Sequence, residues 1–119
     1  AQLMRATRRA GLKLGILSNE LELFYGRDFL SRMEVLRDLD AVVDATHTGI
    51  LKPDARAYAL ATQALGLEPA DILFVDDQFR NIAGAVAAGL QVQYFDLRDV
   101  PGNLAAVAAR LDIPDEEWR

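Results

Sequence analysis

The chain has 119 residues, enough for one small domain or part of a larger one. Its formal net charge of −5 argues against a nucleic-acid binder, which shows a basic face, and the absence of cysteine excludes a disulfide framework, a thiolate metal site and a thiol nucleophile. No apolar run is long enough to span a membrane, no signal peptide is visible, and a cysteine-free chain is compatible with the cytoplasm, the setting expected here.

Hydrophobic residues make up 51% of the chain, with few aromatics and many alanines, a composition suited to helices packed closely on a sheet. Gln2–Ala10 reads as a helix with Arg5, Arg8 and Arg9 on its wet side, closed by Gly11. Leu12–Leu17 is a short apolar run interrupted only by Lys13, a buried strand candidate, and Ser18, Asn19 and Glu20 leave its C-terminal end. Leu21–Leu39 reads as helical with a break near Gly26. Ala41–Ala45 is a second strand, rich in valine, and Thr46–Lys52 a loop. Pro53 suits the first turn of a helix running to Leu65, where its missing N–H costs nothing, and Gly66 ends that helix. After a turn at Glu68–Asp71, Ile72–Val75 is a third strand, followed at once by Asp76 and Asp77. Phe79–Ala88 is a helix with Ile82, Ala85 and Val86 facing inward, Gln91–Phe95 a fourth strand, and Pro101–Leu111 a last helix presenting Leu104, Val107, Ala108 and Leu111. Residues 1–113 thus form the folded core, and 114–119 a charged, loose tail.

Strands alternating with helices at this spacing argue a parallel α/β sheet. Ligands in such sheets sit beyond the carboxyl ends of the strands, which makes Ser18, Asn19, Asp76 and Asp77 immediate candidates. Three islands line up in order: Leu14-Gly15-Ile16-Leu17-Ser18-Asn19, then Gly49-Ile50-Leu51-Lys52-Pro53-Asp54, then Phe74-Val75-Asp76-Asp77 with Asn81-Ile82-Ala83-Gly84-Ala85 behind it. Each is weak alone, since a lone Lys-Pro or Asp-Asp is common. Together they resemble motifs two, three and four of the haloacid dehalogenase superfamily over nearly the whole chain. The likeness is to the branch holding bacterial sugar-phosphate phosphatases and the N-terminal phosphatase domain of epoxide hydrolases, and His47 ahead of Gly49 fits that branch.

The resemblance implies a Rossmann-like three-layer α/β core and a Mg²⁺-dependent phosphatase working on a small phosphorylated metabolite through an aspartyl-phosphate. On it, Ser18 is the hydroxyl that donates to a phosphoryl oxygen, with the Asn19 backbone N–H beside it. Lys52 is the cation that offsets nucleophile and phosphate together. Asp76 is a Mg²⁺ ligand; Asp77 and Asn81 ligate or orient that shell, or bond Lys52. The family's first motif, an apolar strand ending in Asp-x-Asp, supplies the nucleophile and the general acid/base, and no aspartate stands upstream of Ser18. The sheet is therefore expected to be incomplete at its central strand, with a further N-terminal segment of the same protein as the missing partner. Exposed sheet edges favour self-association. Asp38-Leu39-Asp40 matches Asp-x-Asp literally but follows a helix-like run and motif two, so it is read as non-catalytic.

Plainer readings stand beside these. Ser18 and Asn19 suit a helix cap, Lys52 a solvated surface, Asp76 and Asp77 a turn, His47 a loop, and Tyr58, Phe74 and Trp118 core or tail. Two alternatives to the phosphatase are a 2-haloacid dehalogenase, which needs no metal and fits the Asp76-Asp77 pair poorly, and a non-catalytic interaction module of the same fold.

Overall fold

The computed structural model describes residues 2–19 and 39–119, so the helix read over Leu21–Leu39 lies, but for its last residue, outside the described residues. In chain order the elements are α1 (Gln2–Arg9), β1 (Gly15–Ser18), β2 (Ala41–Asp44), α2 (Ala45–Thr48), α3 (Ala55–Leu65), β3 (Leu73–Asp76), α4 (Phe79–Ala87), β4 (Gln91–Tyr94) and α5 (Val100–Arg110). Short 3₁₀ turns occupy Pro69–Asp71 and Asp115–Glu117.

All strand pairing is parallel, as the strand–helix alternation implies. β1 lies beside β2 with Gly15 opposite Ala41 and Ser18 opposite Asp44; β3 lies beside β4 with Leu73 opposite Gln91 and Asp76 opposite Tyr94. Among the described residues the sheet is in two halves, each two-stranded, and no strand joins β1 to β3. A cavity of about 540 Å³ lies between the halves, lined by Ile16 and Leu17 of β1, Phe74 and Val75 of β3, Leu65 of α3 and Val107 of α5, among others. The expected gap at the centre of the sheet is thus a real, largely apolar space.

Side-chain capping sets several boundaries differently from the sequence pattern. The first strand starts later than the apolar run Leu12–Leu17: the Leu14 carbonyl accepts the Asp40 backbone N–H at 2.7 Å, but the Leu14 N–H donates to the Asp40 carboxylate at 2.7 Å, and the ladder register starts at Gly15. The expected loop after β2 opens with one helical turn, α2, because buried Asp44 accepts the Thr46 N–H and caps it. The helix expected at Pro53 starts at Ala55, since Asp54 accepts the Arg56 N–H and is itself the cap. At its other end Gly66, with φ of 68°, donates its N–H to the carbonyls of Thr62 and Gln63. In the same way Asp99 accepts the Gly102 N–H and starts α5 at Val100.

The core has two parts. Tyr58, Phe74, Ala85 and Leu90 pack together with α3 and α4 on one side of the strands, with Leu17, Ile82 and Val92 at their margin. Leu3, Ala6, Val107, Ala108, Ile113 and Trp118 pack together around α1 and α5, and Leu73 and Phe95 lie against them. Phe74 faces one cluster and its neighbour Leu73 the other, the alternation a strand between two helical layers must show. Two expectations are corrected. Val86 is exposed, while Asn81 and Ala85 are the buried residues of α4. The segment after Pro114 is not a loose tail: Trp118 is buried against α1 and α5, and Arg9 of α1 donates to the Glu117 carbonyl. Burying the indole removes a large apolar surface from water while the charges around it stay solvated, and this outweighs an Nε1–H that finds no acceptor among the described residues. Among the described residues no helix is long and apolar enough to cross a membrane.

Candidate active site

Two strand ends and one loop meet at the mouth of the gap. Ser18 ends β1 and Asp76 ends β3, and the loop before α3 brings Lys52 between them. The Lys52 Nζ lies 2.7 Å from Asp76 Oδ2, with the two side chains only 10% and 7% exposed. The ammonium also sits 5.5 Å from the centroid of the Phe74 ring, a cation–π placement beside the carboxylate. The other oxygen, Asp76 Oδ1, accepts the Gln78 N–H at 2.8 Å, which turns the chain into α4.

Asn81, one turn into α4, is buried and directs its Nδ2 at both Asp76 oxygens at 3.4 Å, too long for more than a weak bond. Its Oδ1 is buried and finds no hydrogen-bond partner among the described residues. The Tyr58 hydroxyl donates to the Asn81 carbonyl at 2.6 Å, and its ring meets Phe74 edge-on with centroids 5.5 Å apart. Tyr58 is thus a core residue, as read from sequence, with a second task in fixing α3 to α4 under the site. Burial first, then the Asp76 charge, pushes its hydroxyl up to about 12, so it stays a donor.

Of the residues singled out in sequence, Lys52, Asp76 and Asn81 meet directly, and Ser18 lies one residue from the Asn19 that touches Lys52. Asp77 follows Asp76 and is exposed, as is His47 on α2. The Asn19 side chain is turned to the Lys52 backbone, a contact its place beside Ser18 does not reveal. Gly84 is the other residue whose part the sequence conceals: a Cβ there would lie 2.7 Å from Pro53 Cβ and 2.9 Å from the Tyr58 hydroxyl. Only its place in the Asn81–Ala85 island hinted at this. Asp40 has a structural task, accepting from the Leu14 N–H and from Arg8 at 2.8 Å, while Asp38 lies outside the described residues.

Residues 1–89 match the haloacid dehalogenase-like hydrolase family. The chain belongs to that family. It is 36% identical over 115 residues to Phosphatase MT3486 of Mycobacterium tuberculosis, covering 92% of this chain and 52% of that protein. It is 40% identical over 83 residues to the (S)-2-haloacid dehalogenase of Pseudomonas sp. strain YL, covering 69% of this chain and 35% of that enzyme. Among solved structures, a Corynebacterium glutamicum protein superposes with a TM-score of 0.78 at 27% identity, over 94% of this chain and 80% of the other. The chain therefore spans about half of the mycobacterial phosphatase and a smaller share of the dehalogenase. As a haloacid dehalogenase-like chain it has relatives of both hydrolytic chemistries, and its own side chains must separate them.

The donor set next to Asp76 suits a hard divalent cation. Asp76 has acceptor capacity left beyond the Lys52 and Gln78 bonds, and the orphaned Asn81 Oδ1 is a buried oxygen that needs a donor or a cation. Among the described residues no three acidic or histidine side chains gather into a complete set, so these oxygens make up only part of a shell.

Burial alone would raise the Asp76 carboxyl, but the Lys52 ammonium and the Gln78 N–H outweigh it and hold the group below the usual carboxylate range. Three further carboxyls nearer the surface are lowered too: Asp40 by the Leu14 N–H, Asp96 by the Arg98 guanidinium, and Asp54, by the Arg56 guanidinium and N–H, to about 2. A carboxyl whose folded value is lowered adds stability that is complete above its unfolded value, about 3.9 for aspartate, and lost as the pH falls through the folded value. The melting temperature is therefore expected to be level from pH 7 to 5 and to fall below pH 4. Thermal melts at pH 6, 4 and 3 check this, and a protein more stable at pH 3 than at pH 6 would contradict it.

Proposed function

We propose that this chain carries the phosphoryl-binding, lysine and cation-binding elements of a Mg²⁺-dependent cytoplasmic phosphatase that acts on a small phosphorylated metabolite through an aspartyl-phosphate. The observation that carries the reading is the buried Lys52–Asp76 pair at the end of β3, with a second carboxylate, Asp77, directly behind it. Adjacent carboxylates at a strand end repel, and one cation relieves both. In this reading the Ser18 hydroxyl and the Asn19 N–H at the end of β1 donate to the phosphoryl oxygens, while Lys52 offsets their charge and that of the nucleophile. Mg²⁺, when bound, adds positive charge to the phosphoryl oxygens and is held by Asp76, with Asp77 and Asn81 completing or orienting its shell.

The nucleophilic carboxylate is proposed to lie on a segment outside these 119 residues. No aspartate precedes Ser18, and the Asp40 carboxylate is held by the Leu14 N–H and Arg8. The carboxylate attacks phosphorus, the ester P–O bond breaks, and the leaving alkoxide takes a proton from the second carboxylic acid of the same Asp-x-Asp segment, which then takes one from the water that hydrolyses the acyl phosphate.

The relationship to the Pseudomonas dehalogenase supports a second reading, hydrolysis of a 2-haloacid. One experiment separates the two. The complete protein is assayed on an aryl phosphate and on 2-chloropropionate, with Mg²⁺ and with EDTA. Phosphate release that needs Mg²⁺ and is lost in Asp76→Asn supports the phosphatase. Chloride release unaffected by EDTA overturns it in favour of the dehalogenase, and no turnover of either overturns both in favour of a non-catalytic module.

A further inference from the structure

We propose that Asn19 is a positioning residue: its amide grips the backbone of Lys52 and thereby sets where the ammonium stands in the gap between the two half-sheets. The inference rests on the phosphatase reading above and names a residue on which the catalytic lysine depends.

Asn19 Oδ1 accepts the Lys52 N–H at 2.7 Å, and Asn19 Nδ2 donates to the Lys52 carbonyl at 3.2 Å. Both backbone groups of one residue are thus satisfied by one side chain 33 positions away, in the way a neighbouring strand would satisfy them. The amide orientation follows from the pairing, since the reverse would set donor against donor. Few side chains can replace it. A serine offers one hydroxyl on a shorter arm, and an aspartate accepts the N–H but opposes the carbonyl with negative charge.

The grip has an opposing side. Gly84 of α4 stands so close to the next residue that a Cβ there would lie 2.7 Å from Pro53 Cβ and 3.1 Å from the Pro53 carbonyl oxygen. The Tyr58–Asn81 hydrogen bond holds α3 and α4 together behind it. The Lys52-Pro53 turn is therefore held between the end of β1 and the body of α4. From that fixed point the Lys52 side chain reaches Asp76 at the end of β3, with its ammonium 5.5 Å from the centroid of the Phe74 ring.

Lys52 thus links the two half-sheets at their C-terminal ends, with its backbone tied to one and its charge to the other. Electrostatic stabilisation of a phosphoryl group demands a charge already in place, because a lysine that must first be ordered gives up part of its effect. Displacement by about 1 Å can cost on the order of 100-fold in rate. Asn19 supplies the placement without touching substrate through its side chain.

The test uses the complete protein and the variants Asn19→Ala, Asn19→Asp, Gly84→Ala and Lys52→Met, with aryl phosphate as probe. Asn19→Ala is expected to lower kcat about 10- to 100-fold with a much smaller change in KM. It should also speed hydrogen exchange at the Lys52 amide without speeding exchange in β4. Asn19→Asp, which keeps the acceptor, should fall between Ala and wild type, and Gly84→Ala should give the same kcat-weighted loss. Should Asn19→Ala not fold, Asn19→Asp and Gly84→Ala carry the same comparison. Wild-type kcat in a folded Asn19 variant while Lys52→Met is inactive overturns the positioning role and leaves the phosphatase standing. Full activity in Lys52→Met overturns the phosphatase reading itself. A rise in KM at unchanged kcat shows Asn19 binding substrate directly and also overturns the proposal.

Discussion

Lys52→Met is expected to lower phosphatase turnover of the complete protein about 100- to 1,000-fold and to cost about 3 kcal/mol of stability, two effects with different causes. The rate loss follows from removing a fixed positive charge from the place where phosphoryl charge must be offset. The stability loss follows from burial. The Asp76 side chain is 7% exposed, its Oδ2 accepts from Lys52, and among the described residues the weak Asn81 contact and the Gln78 N–H on Oδ1 are what would be left. A carboxylate that loses its cation in such a place stays buried and unpaired, or takes up a proton. Removing one partner of a buried pair therefore costs more than removing both. The double variant Lys52→Met/Asp76→Leu should regain most of the lost stability and none of the activity. Urea unfolding at pH 7 together with aryl phosphate turnover reads both quantities. A double variant less stable than Lys52→Met would show that the pair stabilises the fold in its own right, contrary to this account.

The order of strands and helices could be read from the sequence because apolar runs alternate with helical spacing. Candidates for the site could be named because Ser18 and Asp76 each end a strand and Lys52 stands in the loop that leads into α3. Hydrogen bonds between distant residues were hidden. The Leu14 N–H goes to the Asp40 side chain and not to a strand partner, and no local pattern announces it. Asn19 looks like a cap or a substrate donor from its place after a strand, but its amide partner is 33 residues on. Gly84 belongs to a Gly-Ala pair whose meaning emerges only where Pro53 comes within reach. The end of the chain was misread for a related reason. Pro114–Arg119 is dense in charge, but one tryptophan suffices to anchor it on Leu3 and Val107, with Arg119 stacked 4.7 Å from the indole ring. Charge density describes how a segment meets water and is silent on whether one aromatic side chain finds a hollow.

A segment of about five apolar residues ending in Asp-x-Asp, fused ahead of Ala1 or added as a peptide, is expected to raise the melting temperature by about 8 °C and to switch on Mg²⁺-dependent phosphatase activity that the 119-residue chain alone does not show. Geometry sets the length. β1 and β3 are four residues each, roughly 13 Å at the usual rise per residue, and a strand between them needs to be little longer. Their direction is set as well. Asn19 and Asp76 both meet Lys52, so the C-terminal ends of β1 and β3 lie on the same side, and a strand paired in parallel with both would end beside that lysine. The cavity of about 540 Å³ is lined by Ile16, Leu17, Phe74 and Val75, which demands apolar side chains from the occupant. The gain comes from pairing two open strand edges and filling apolar space; a net 2 kcal/mol or so is enough for the stated shift. A control segment ending in Asn-x-Asn separates fold from chemistry, since it should stabilise equally and leave turnover at background. Were both segments to leave the melting temperature unchanged, the gap would not be a strand site. Turnover by the unextended chain, lost in Asp40→Asn, would instead move the nucleophile to the carboxylate that here accepts from the Leu14 N–H and Arg8.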